Sequence, residues 1–110
     1  MSFRHRRGRT RSDTNMQTIV AELRARGYTV VVLSGVGGGA PDLLVARAGQ
    51  LWLCEVKRTL KDVLTPDQLA FHGAWPGPPI LVICSAAEFE IQSRRPAARR
   101  SSTAAPVTGP

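Results

Sequence analysis

Cysteine is scarce. The 110 residues hold two, Cys54 and Cys84, each inside an apolar run and neither in a CxxC pair. A zinc ribbon and a disulfide scaffold are thereby excluded, and buried free thiols are expected. Histidine is as rare: His5 and His72 stand alone, with no second pair at metal-ligand spacing, which leaves no zinc site. Aromatic residues make up 5%, and Trp52 and Trp75 are expected as core anchors rather than stacking platforms for bases. No apolar run approaches the roughly 20 residues of a membrane span. Met1-Ser2-Phe3 leads into arginines instead of the apolar stretch of a secretory signal. A soluble, cytoplasmic chain with no membrane partner is the expectation.

Acids are few as well. Lysine and arginine number 15 against eight aspartates and glutamates, for a formal net charge of +7. The excess lies at the ends. Residues 1–11 carry Arg4, Arg6, Arg7, Arg9 and Arg11, residues 94–110 carry Arg94, Arg95, Arg99 and Arg100, and neither stretch holds an acid, so the middle is net negative. Arginine-rich arms suit a polyanion, DNA with RNA left open, whose phosphates release counterions on binding. The Ala, Ser, Thr, Pro and Gly composition beyond Arg94 has no apolar periodicity and predicts a disordered tail; the first dozen residues look alike. The predicted organisation is a basic arm over 1–12, a folded domain over 13–93 and a basic tail over 94–110. A body of about 80 residues has a modest core and sheet edges to cover, and pairing into a homodimer is the expected relief.

Within the body, Met16, Ile19, Val20 and Leu23 fall at i, i+3, i+4 and i+7, the stripe of a helix over about 14–26 that Gly27 ends. Tyr28–Leu33 reads as a buried strand, and Ser34–Ala40, with glycines at 35, 37, 38 and 39, as a loop. Asp42–Arg47 and Gln50–Lys57 read as strands joined at Ala48-Gly49 in a hairpin. In Thr65-Pro66-Asp67-Gln68, threonine fits the N-cap, proline the first helical position and glutamine the third, which starts a helix running to Trp75. Ile80–Cys84 is a further strand, and Ala86–Ile91 a last helical turn or two. The order α-β-β-β-α-β gives an α/β fold, a mixed β-sheet flanked by helices.

Gly35, Gly37 and Ala40 match GxGxxA, but Pro41 and a strand follow where a dinucleotide site needs a helix, so a nucleotide cofactor is rejected. The hairpin is more informative. Pairing Arg47 with Gln50 carries Asp42 opposite Glu55, where like charges repel unless something positive lies between them. Side chains alternate along a strand, so Lys57 projects on the same face as Glu55. Two carboxylates and a lysine beside a glycine loop suit a hard divalent cation and a phosphodiester. Taken singly, each of these residues is an ordinary turn or strand position, and Gln68 has a structural role ready as the capping-box partner of Thr65.

Pro41-Asp42, twelve intervening residues and then Glu55-Val56-Lys57 resemble the PD-(D/E)XK nuclease motif. Together with Gly37-Gly38-Gly39-Ala40 before it and Leu64-Thr65-Pro66-Asp67-Gln68 after it, the pattern resembles the small VRR-NUC-type nucleases, found alone in phages and prophages and as domains of DNA-repair nucleases. The resemblance implies a restriction-endonuclease-like fold in a bacterial or phage-infected cell. It also implies DNA phosphodiester hydrolysis with Mg2+ or Mn2+, with structure-specific cleavage, Holliday junctions included, among the family's activities. It assigns Asp42, Glu55 and the backbone carbonyl of Val56 to the metal, and Asp42, Glu55, Lys57 and Gln68 to catalysis. Nucleic acid is expected along the N-terminal arginines, Gly37, Gly38, Gly39 and Arg58. One departure stands out: relatives usually carry a glutamate early in the first helix, where this chain reads Asp13-Thr14-Asn15, so Asp13 or Asn15 is the candidate substitute. The alternative function is a non-catalytic nucleic-acid-binding protein that retains the fold.

Overall fold

The apolar stripe of the first helix sets the layering. Ile19, Val20 and Leu23 are buried and Met16 packs against them at the edge. The computed structural model describes residues 11–59 and 61–95, with side chains from Asn15 onward. Helix α1 spans Arg11–Ala25. It starts three residues ahead of the expected Thr14 and takes in the last two residues of the expected arm, since nothing in Arg11-Ser12-Asp13 bars a helical backbone. Its end is as expected: Gly27 takes φ 97°, Gly27 N–H donates to Arg24 O and Tyr28 N–H to Leu23 O, the paired bonds of a glycine C-cap.

Three antiparallel strands follow, β1 (Thr29–Val32), β2 (Leu43–Arg47) and β3 (Gln50–Val56). The β2–β3 turn is Ala48-Gly49, at φ 52° and 82°, and Arg47 pairs with Gln50 as expected. Helix α2 (Pro66–Ala74) then leads to β4 (Leu81–Ile83), which lies parallel to β3, and the described chain closes with α3 (Ala86–Ser93), capped by Ser85. The result is a mixed four-stranded sheet in the order β1-β2-β3-β4 with three helices, the expected α/β architecture with the last turns extended into a helix.

Alternation divides β3 between two faces. Trp52, Cys54 and Val56 join Val30, Leu43, Val45, Leu81 and Ile83 in the core beneath α1 and α3. Tyr28, Trp52 and Phe89 meet edge to face at 5.1–6.0 Å at its centre. Cys54 is wholly buried, and burial pushes its thiol up to about 12, as an inert core cysteine requires. On the other face, Leu51 and Leu53 meet Trp75 and Pro78, which follow α2, and Glu55 is left beneath the helix itself.

Candidate active site

The site forms where the hairpin ladder stops. The last pair is Leu43 with Cys54; Pro41 has no N–H to continue it, and Asp42 lies just outside β2 with its own N–H on Cys54 O at 3.0 Å. Its carboxylate turns across to β3, where Oδ2 accepts the N–H of Val56 at 2.9 Å. Asp42 thus reaches Glu55 as the register predicted, but from a bend and not from a strand. Glu55 is the one buried charged residue in the described core, 2% exposed. Burial, and then the charge and hydrogen bonding of Asp42, raise its carboxyl from the ordinary 4.5 to about 8, with Lys57 pulling the other way. Near neutrality the carboxyl holds a proton, and a proton is the positive species that stands between the two acids when no cation does.

Lys57 follows β3, its N–H tied to Ile83 O, and its ammonium donates to Gln68 Oε1 at 2.7 Å. That oxygen also accepts the N–H of Thr65 at 2.9 Å, while Gln68 Nε2 donates to Glu55 Oε2 at 2.7 Å. Gln68 therefore fills both roles open to it, capping-box partner and site residue, at once. His72 stands one turn further along the same helix, held below its ordinary pKa by burial and then by the charge of Lys57. No local pattern joins it to Lys57, because the charge of the lysine reaches it only through the docking of α2.

Asn15 is the other candidate substitute for the missing glutamate. Its Nδ2 donates to Lys57 O at 3.1 Å and to Cys84 O at 3.4 Å, which moors α1 to the ends of β3 and β4. The side chain of Asp13 and the arginines at 4, 6, 7, 9 and 11 lie outside the described side chains. Gly37, Gly38 and Gly39 all have positive φ, and Gly39 has a packing reason: a Cβ there would lie 2.2 Å from Asp67 O, so the loop sits directly on the first turn of α2. Gly37 and Gly38 have open space around them. Arg58 is exposed and pairs with Asp62 at 3.5 Å.

The donor set suits a hard cation. Glu55 Oε1 is buried with no partner, beside a second carboxylate. Magnesium takes one or two carboxylates and completes its shell with water and phosphate oxygens. Among the described residues no three His, Cys, Asp or Glu side chains gather as a metal cluster, so an all-protein zinc cage has no counterpart here.

No protein-family model matches the chain, and no curated protein matches it. Among solved structures, one described as a VRR-NUC domain superposes with a TM-score of 0.61 at 26% identity, over 80% of this chain and 100% of its own length. The strand order, the flanking helices and this superposition agree, and the chain has a VRR-NUC-type nuclease fold.

Proposed function

We propose that the protein is a metal-dependent nuclease that hydrolyses DNA phosphodiester bonds with Asp42, Glu55, Lys57 and Gln68, branched DNA such as a Holliday junction being the substrate class the resemblance favours. The observation that carries this is Glu55. A fully buried carboxyl pressed against another acid lowers the stability of the metal-free fold, and such arrangements gather at sites where chemistry needs them. Asp42, Glu55 and the Val56 carbonyl would hold Mg2+ or Mn2+, which when bound polarises a phosphate oxygen and makes nearby water more acidic. Lys57, steered by Gln68, donates to the attacking water or to the phosphate oxygen on which charge builds up. Gln68 also holds the Glu55 carboxyl in place through Oε2 and leaves Oε1 for the cation.

The alternative, a non-catalytic DNA-binding protein on this fold, draws on Asn15, whose amide is engaged with backbone carbonyls and brings no charge to a cation. One assay separates the two. Purified protein is offered linear, flapped and four-way DNA with Mg2+ or Mn2+, beside Asp42→Asn, Glu55→Gln and Lys57→Met. Cleavage by the wild type alone, with all four proteins melting cooperatively, is the expected result; a folded wild type that cuts nothing refutes the enzyme.

A further inference from the structure

Two buried side-chain polar atoms among the described residues have no hydrogen-bond partner, Glu55 Oε1 and His72 Nε2, and the charge of Lys57 acts on both residues. The first lies beside Asp42, where the proposed function places a cation. The second has no such account, and an unsatisfied buried nitrogen in a native fold calls for an absent water, a ligand or a catalytic role.

His72 lies four residues beyond Gln68 on α2, so the two side chains share a helix face, and that face is the one laid over Glu55 and Lys57. Phe71 and Trp75, stacked at 5.7 Å, flank it. The ring is neutral at pH 7, since burial and the nearby ammonium both disfavour the imidazolium, and a neutral imidazole has one N–H and one lone pair. Lys57 Nζ uses one of its three hydrogens on Gln68 and keeps two. In the tautomer that carries its hydrogen on Nδ1, Nε2 offers the lone pair, and a molecule that accepts from that ammonium and donates to that nitrogen is water.

We propose that His72 is a catalytic residue of this site: its Nε2 accepts a hydrogen from the attacking water while Lys57 Nζ donates to the same oxygen, leaving that water's lone pair turned towards phosphorus. His72 orients the water through this hydrogen bond and takes no proton: as the water oxygen bonds to phosphorus and the P–O bond to the leaving group breaks, the water's other hydrogen passes to a phosphate oxygen and the leaving oxygen takes a proton from solvent. The proposal rests on the nuclease reading and adds to it the group that aims the nucleophile.

The test compares His72→Phe, which keeps a ring beside Phe71 and lacks the acceptor, with His72→Gln, whose amide oxygen reaches about as far as Nε2. Cleavage is measured with Mg2+ well below the melting temperature of the least stable protein. H72F is expected to lose about a hundredfold in kcat with KM unchanged, and H72Q to recover most of it. H72F should melt no lower than the wild type, because a buried unpaired nitrogen has been removed, and the Mg2+-induced rise in melting temperature should be the same in all three. An H72F kcat within about twofold of the wild type overturns the proposal while leaving the nuclease standing. So does an H72F that melts early with no rescue in H72Q, which marks a packing role. A wild type inactive on every DNA overturns both.

Discussion

Glu55 binds a proton in the folded state up to about pH 8, whereas the unfolded chain releases it near 4.5. Across that window the native state holds more protons than the unfolded state, so stability falls as pH rises, by up to on the order of 1 kcal/mol per pH unit. The metal-free protein should therefore melt progressively lower from pH 5 to pH 8, and Glu55→Gln should flatten the profile and melt above the wild type at pH 8. Added Mg2+ should stabilise the wild type increasingly as pH rises, since it replaces the proton, and should leave Glu55→Gln unmoved. A wild-type profile without slope would show that Glu55 is ionised throughout. At this scale the acids and the lysine were legible because a two-residue turn fixes a register and alternation fixes a face. The burial of Glu55 and the part played by His72 were not, because both come from α2 folding back over β3, and no local pattern encodes that approach.

The elements whose signals are local came out nearly as read: the hairpin, the capping box of α2 and the glycine end of α1. Helix α2 itself offered less. Its residues Gln68, Phe71 and His72 mix polar with apolar side chains, Trp75 comes only at the C-cap, and it has no fully buried residue, so no apolar stripe announces which way it packs. Gly39 is what lets it pack so closely. Gly39→Ala combines an unfavourable φ of 82° with a Cβ driven against the Asp67 carbonyl, whereas Gly38→Ala meets only the unfavourable φ of 69° in open space. Urea unfolding should show about 1–2 kcal/mol lost for Gly38→Ala and more for Gly39→Ala, which should also lose cleavage as α2 is displaced from Lys57. Equal losses would mean that the loop does not seat the helix. The glycine run signalled a loop in the sequence, but only the fold tells which of its members a neighbouring backbone requires.

For the molecule as a whole, the two ends of the described chain leave from different places. Asn15, near the start of α1, touches the carbonyls of Lys57 and Cys84 beside the site, while Arg94, after α3, lies 3.8 Å from Glu90, which also pairs with Arg26 at the far end of α1. The first described residues thus stand on the side of the candidate site and the last ones on the opposite side. Removing residues 1–10 deletes Arg4, Arg6, Arg7 and Arg9, and removing residues 96–110 deletes Arg99 and Arg100. Each arginine that met a phosphate carries about 0.9 of the slope of log affinity against log salt, so the first truncation should flatten that slope more than the second. The kcat at saturating DNA should survive both, since Gln68 and the β3–β4 pairing hold Lys57 and Glu55 from within the described residues. A salt slope untouched by both truncations would place the DNA contacts on the body. Gln68 ties the site to the helix that carries it. Its amide oxygen accepts the backbone N–H of Thr65 at the first turn of α2 and the ammonium of Lys57, so one atom serves both the start of the helix and the lysine of the site. Unwinding of that turn withdraws the acceptor from Lys57, so the order of the site is no greater than the order of one turn of helix.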